Sequence, residues 1–184
     1  MILPGTMLQG KTKVGKNCIL GPDTQLTDVI CGDGNHLNRV YAHSCELGDN
    51  NEIGPFVHLR PETCLHNDIK IGNFVEVKNS DVDDGTKLPH LIYCGDSDLG
   101  KNVNFGCGTV TVNFDGKNKH RCTIDEHAFI GCNTNLVAPV HVGARAFTAA
   151  GSTITKDVPA KALAVGRAKQ VNIENWVKED TYKD

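Results

Sequence analysis

Large rings are scarce in this chain: one Trp, three Tyr and six Phe make up 5% of its 184 residues. A core built around packed aromatics is therefore excluded, and the 19 glycines point to a thin interior with many turns. No apolar run is long enough to span a bilayer, and no charged-then-apolar signal segment opens the chain, so no membrane partner and a cytoplasmic setting are expected. The net charge of −3 gives no basis for a nucleic-acid partner. Eight cysteines are present but no CxxC pair, which removes zinc-cluster spacing of that kind. In a cytosolic protein they read as reduced, mostly small buried residues. With 39% hydrophobic and 22% charged residues, the chain is expected to fold as one ordinary domain.

What fills the chain instead is a six-residue beat. Aliphatic residues recur at Ile2, Leu8, Val14, Leu20 and Leu26, at Leu47, Ile53, Leu59, Leu65, Ile71 and Val77, and at Ile124, Ile130, Leu136, Val142 and Ile154. Four residues after most of them stands a small or β-branched residue, such as Thr12, Cys18, Thr24, Thr63, Val75, Thr134 and Ser152. Six matches neither the helical period of 3.6 nor the strand period of 2. It fits strands of two or three residues, each followed by a corner, so that three hexads close a triangular coil of 18 residues. Coils stacked about 4.8 Å apart give roughly eight turns between Ile2 and Ile154, a prism about 40 Å long. The expected organisation is a β-helix over 1–158 and a tail over 159–184, in which residues 172–179 (NIENWVKE) read as a short helix capped by Asn172, its Trp176 covering surface. The beat shortens to five near Val77–Val82 and before Leu99. Between Thr111 and Ile124 it gains seven residues, so 112–121 (VNFDGKNKHR) must leave the prism as a projecting loop.

Stacking turns sequence distance into adjacency. Arg60 and Lys78 are 18 residues apart and fall on one face, a ready clamp for a phosphate. One short coil after His90 comes Cys107, one coil plus the insertion gives Cys132, and a full coil more gives Ala150. These four form a column along a corner that reaches Asn73 below. Small residues above an imidazole make a narrow groove in which a long thin ligand could present its reactive end. Cys107 and Cys132 are neighbours there and are expected to be free thiols.

The segments GPFVHLRP (54–61), IGNFVEVKN (71–79), HLIYCGD (90–96), NVNFGCGTVTVNFDGKNKHR (102–121), LVAPV (136–140) and AAGSTITKDVPAKALAVGR (149–167) resemble the C-terminal acetyltransferase domain of the bifunctional N-acetylglucosamine-1-phosphate uridyltransferase/glucosamine-1-phosphate acetyltransferase family. The resemblance runs from about Pro4 to Arg167. It implies a left-handed parallel β-helix of hexapeptide repeats, although period alone leaves the hand open and the general crossover rule favours the right. It implies transfer of the acetyl group of acetyl-CoA to the amine of glucosamine 1-phosphate, toward UDP-N-acetylglucosamine and cell-wall precursors, in a homotrimer with the site between subunits. His90 matches the family's general base, needed because an ammonium has no lone pair with which to attack a thioester. Glu76 matches a carboxylate placed by that histidine. Arg60, Lys78 and Lys119 match phosphate and sugar ligands, and Tyr93, Asn104 and Asn113 match hydrogen-bonding groups for the sugar. Cys107 takes the place of a residue whose backbone N–H faces the thioester carbonyl. Cys132, Ala150 and Arg167 match the coenzyme A groove. No metal is expected for acetyl transfer. The family's uridyltransferase domain has no counterpart in the chain, and Met1 falls in mid-repeat, as in a fragment or a truncated first coil.

The chain departs from the family at Cys132 (usually Ser), Cys107 (usually Ala), Phe114 (usually Tyr) and Leu88-Pro89 (usually a small pair). Three rival readings remain open: a hexapeptide acyltransferase with another acceptor, a zinc enzyme on the same prism, and a non-catalytic β-helix. The cationic set argues against the first. The second needs clustered histidines, whereas His36, His43, His58, His66, His120, His127 and His141 show no clustering in the sequence. Against the third stands the intact set of His90, Glu76, Asn104, Asn113 and Lys119.

Overall fold

The structure, a computed structural model, describes residues 1–177. Within them the chain forms 24 short strands and no helix, wound as a left-handed parallel β-helix of about nine turns. Three columns of inward-facing residues define its three faces. Along the first, Leu8, Leu26, Ala42, Leu59, Val77 and Cys94 stack in register. The second runs from Val14 and Cys31 through Leu47, Leu65, Val82 and Leu99 to Ile124 and Val142. On the third, Leu20, Leu37, Ile53, Ile71 and Leu88 are followed by Phe105, Ile130 and Thr148. The second face is an eight-stranded sheet of its own. The other two merge into a 16-stranded sheet, because strands Lys70–Lys78 and Lys87–Gly95 run round the corner between them without a break.

The small corner residues do more than fit. Thr24, Thr63 and Thr86 donate their hydroxyls to the carbonyls of Leu37, Val77 and Gly100, at 3.2, 3.2 and 2.9 Å. Asn35 and Asn51 do the same for Gly48 and His66 at 2.7 and 2.9 Å. The Gly48, His66 and Gly100 carbonyls find their donors in these side chains, while those of Leu37 and Val77, which already accept the backbone N–H of Gly21 and Arg60, gain a second donor.

Three expectations need correction. Coils without the loop insertion are 16, 17 or 18 residues long, as Leu37 facing Ile53, Leu20 facing Leu37 and Leu8 facing Leu26 show. The shorter coils offset the long one that carries the loop, so the expected eight coils lead from Ile2 to Thr148 and a ninth ends at Ala164. The winding does not stop at Ile154, since Val142 pairs with Val158 and Phe147–Thr148 with Leu163–Ala164. The short C-terminal helix is not formed: residues 172–177 are irregular, Asn175 has φ of 56°, and Trp176 is 76% exposed and covers none of the described residues. An isolated two-turn helix has too few hydrogen bonds to offset its nucleation cost, and no neighbouring element packs on it. Lys178 and Glu179, the end of that expected helix, lie outside the described residues.

Candidate active site

The corner between the third and first faces carries the expected column. Asn73 pairs with His90 in the ladder. Gly108 N donates to His90 O at 3.4 Å, Asn133 N to Cys107 O at 2.7 Å and Gly151 N to Cys132 O at 2.8 Å, so His90, Cys107, Cys132 and Ala150 follow one another coil by coil. His90, Cys132 and Ala150 are exposed and Cys107 is half-buried. Arg167 tops the column, with its Cδ 3.8 Å from where a Cβ on Gly151 would stand. The turn repeats a left-handed residue in each coil: Phe74 (φ 59°), Leu91 (48°), Gly108 (74°), Asn133 (52°) and Gly151 (72°). Gly and Asn take this conformation readily. Phe74 and Leu91 do so at a cost, and both side chains stand out into solvent beside the imidazole. All eight cysteines are free thiols.

His90 Nδ1 lies 3.2 Å from Asn73 Oδ1. An amide oxygen only accepts, so this contact places the proton on Nδ1 and leaves the Nε2 lone pair outward. Gly72 lets the coils close at this point, since a Cβ there would stand 1.9 Å from Pro89 O. Among the described residues no acceptor takes the Cys107 N–H, which sits one coil above the imidazole.

Arg60 and Lys78 are stacked as expected: Arg60 N donates to Val77 O at 2.8 Å. Neither cation stands alone. Arg60 Nη1 donates to Glu76 Oε1 at 2.8 Å, and Lys78 Nζ lies 3.6 Å from Asp96 Oδ1. Glu76 is thus tied to Arg60, while the side-chain partner of His90 is Asn73. The cationic edge lies at the opposite end of the first face from His90, about 15 Å along the strand at about 3.3 Å per residue. Tyr93, paired with Glu76, and Asn113, whose amide donates to the Tyr93 hydroxyl at 3.3 Å, belong to that end. Asn104 lies on the third face, between Lys87 and Phe129. One chain therefore spreads the expected residues over both sides of the His90 corner and does not gather them into one pocket.

Asp96, which sequence reasoning passed over, organises the cationic end. It is 3% exposed, and its carboxylate accepts from Asn79 Nδ2 at 2.6 Å and from Asn113 Nδ2, besides facing Lys78. Burial alone would raise its pKa. The two amides, with Lys78 and Lys119, outweigh burial and hold the carboxyl below its ordinary value. The signal was in the spacing, since Asn79 and Asn113 stand one 17-residue coil before and after it.

The projecting loop is organised from within. Phe114 and Lys119 form an antiparallel bridge, with Lys119 Nζ 5.1 Å from the Phe114 ring centre. Asp115 accepts from the amides of Asn118 and Lys117 at 2.6 and 2.7 Å and meets His120 Nε2 at 2.7 Å; together these hold its carboxyl well below the usual range. Arg121 fastens the base of the loop to Asp98 and to the carbonyls of Asn79 and Ser97. Beside Glu76 and Tyr93 the first face holds an open groove of about 760 Å³, with Tyr41, Phe56, Phe74 and Leu91 exposed along it. No helix of the described residues is long and apolar enough to cross a membrane.

No family model matches the chain. Among curated proteins, the bifunctional protein GlmU of Geobacillus sp. (strain WCH70) is 52% identical over 177 residues, covering 96% of this chain and 39% of that protein. That of Caldanaerobacter subterraneus subsp. tengcongensis is 54% identical over 179 residues, covering 97% and 39%. The chain therefore spans about two fifths of the length of these relatives. Among solved structures, LpxA of Bacteroides fragilis 9343, a UDP-N-acetylglucosamine acyltransferase, matches with a TM-score of 0.51 at 17% identity, covering 91% of this chain and 71% of that one, a likeness of fold. With half of its residues shared along nearly all of its length, the chain belongs to the GlmU family, as a β-helical segment of it.

Proposed function

We propose that this chain transfers the acetyl group of acetyl-CoA to the amine of glucosamine 1-phosphate, a step toward UDP-N-acetylglucosamine and cell-wall precursors in the cytoplasm. The observation that carries the reading is the column of His90, Cys107, Cys132 and Ala150 standing on Asn73. A thin pantetheine arm lies along the small residues, with Arg167 near the nucleotide phosphates, and its thioester reaches the imidazole. His90 Nε2 removes the proton from the ammonium, and the amine lone pair then attacks the acetyl carbonyl carbon. The oxygen becomes an oxyanion, for which the uncommitted Cys107 N–H is the donor. The C–S bond breaks, and the thiolate leaves with a proton supplied by the imidazolium; the Cys132 thiol is a second source at the position where relatives carry a hydroxyl.

Arg60, Lys78 and Lys119 hold the phosphate, and Tyr93, Asn104 and Asn113 the sugar, with Glu76 as the carboxylate that serves the imidazole. These groups lie on both sides of the His90 corner, so a complete site needs a second copy of the chain, in a homotrimer joined along the exposed apolar groove of the first face. Acetyl transfer by this route needs no metal.

The test is an acceptor panel in a thiol-release assay with acetyl-CoA. Glucosamine 1-phosphate should be used far better than glucosamine. Equal use of the unphosphorylated amine would assign the chain to a different acyltransferase class.

A further inference from the structure

The second face carries a cluster that acetyl transfer leaves unused. Across strands Thr63–Leu65 and Asp81–Val82 the register sets Cys64 opposite Asp81 and Leu65 opposite Val82. Leu65 and Val82 point into the core, so Cys64 and Asp81, and one step further His66 and Asp83, point outward. The pleat thus collects a thiol, an imidazole and a carboxylate on one small square of surface. One ligand atom each of Cys64, His66 and Asp81 lie within 4.8 Å of one another, and His66 Nε2 is 3.0 Å from Asp81 Oδ1. A tetrahedral ion with bonds of about 2.0–2.3 Å to oxygen, nitrogen and sulfur holds such atoms about 3.3–3.7 Å apart. Rotation of these outward side chains covers the difference and leaves the paired backbone in place.

We propose that Cys64, His66 and Asp81 bind a borderline-soft divalent cation of the Zn²⁺ class, with solvent as the fourth ligand. Thiolate and imidazole select such an ion over Mg²⁺ or Ca²⁺, which take oxygen ligands. The oxygen-rich alternative, His66 with Asp83 and Asp84, is also within reach. There Asp84 is already committed, to Lys101 Nζ at 3.0 Å and to the Asn67 amide at 3.0 Å. The surrounding field favours a cation: Glu46 stands one coil below Cys64 and Asp98 one coil above Asp81, and Arg121 is engaged with Asp98. On binding, the Cys64 S–H bond is replaced by a sulfur–metal bond and the proton passes to solvent. The site lies on a different face from His90, so it stands or falls apart from the acetyl-transfer reading.

The metal-free chain is titrated with Co²⁺ as the spectroscopic probe and then with Zn²⁺. The expected result is a thiolate-to-cobalt charge-transfer band that saturates at one Co²⁺ per chain and is bleached by Zn²⁺. It should vanish in Cys64→Ser and persist in a Cys107→Ser/Cys132→Ser double variant, which removes the other accessible thiols. His66→Gln should weaken Zn²⁺ binding about tenfold or more. Circular dichroism checks each variant's fold, and the His66 variant serves if Cys64→Ser does not fold. No band in the wild-type chain, a band that survives Cys64→Ser, or unchanged affinity in His66→Gln would overturn the proposal.

Discussion

Asp96→Asn isolates the charge of a buried carboxylate at nearly constant shape. In the wild-type chain both oxygens accept, from Asn79 and from Asn113, and Lys78 Nζ lies at 3.6 Å. The variant turns one acceptor oxygen into an NH₂ group that faces an amide donor. One charge-assisted hydrogen bond, worth about 1.5–3 kcal/mol, is lost. Lys78 loses its ion pair, worth up to about 1 kcal/mol at this partly open edge. The sum is about 2–4 kcal/mol, which in a chain of this size lowers the thermal midpoint by roughly 5–12 °C. The sign of the pH dependence follows from the depressed pKa. The unfolded carboxyl titrates near about 3.9, so the stabilisation is complete above that value and fades as pH falls through the lower folded-state value. Thermal unfolding followed by circular dichroism should therefore show a wide gap between wild type and variant at pH 7 that narrows in strong acid. A gap that is independent of pH, or no gap at neutrality, would refute the role given to the charge.

Asn73→Ala removes the acceptor that fixes the His90 tautomer; a fall in kcat of about tenfold, the net value of one hydrogen bond, is expected with both KM values nearly unchanged, read from steady-state kinetics. A disulfide exchange reagent at mildly alkaline pH should label Cys64, Cys107 and Cys132 quickly. The other five cysteines are buried, and burial pushes Cys31 and Cys122 up to about 12 and Cys45 and Cys94 up to about 11; fast labelling of more than three thiols would contradict this packing. Gly72→Ala drives a methyl group against Pro89 O and should cost about 2–3 kcal/mol in denaturant unfolding. Asp115→Ala unfastens the projecting loop; it should raise the KM for glucosamine 1-phosphate and leave that for acetyl-CoA unchanged.

The prism was legible because its signal is strictly periodic. An aliphatic residue every six positions closes a three-sided coil, of a hand the period leaves open, and the columns through His90 and through Arg60 follow from counting coils. What the beat could not carry is side-chain choice among neighbours. Glu76 lies within reach of two partners in sequence terms, and its carboxylate settles on Arg60, in the adjacent coil of the same face. Asp96 was hidden inside a recognised segment, and its meaning rests on two asparagines a coil away on either side. His66 looked solitary because Asp81 stands a whole coil away in the chain, and only the stacking brings it alongside Cys64 and His66. The tail failed for a different reason: a cap and an apolar face describe a helix only where something packs against it, and nothing among the described residues does.

The most direct measurement of the whole scheme is thiol release from acetyl-CoA in the presence of glucosamine 1-phosphate by wild type and His90→Ala, with the oligomeric state checked in parallel. The wild type should turn over, and the variant should keep its assembly and lose activity by a factor of about 100 or more, the range of a positioned general base. Wild-type turnover retained in full by the variant would contradict it.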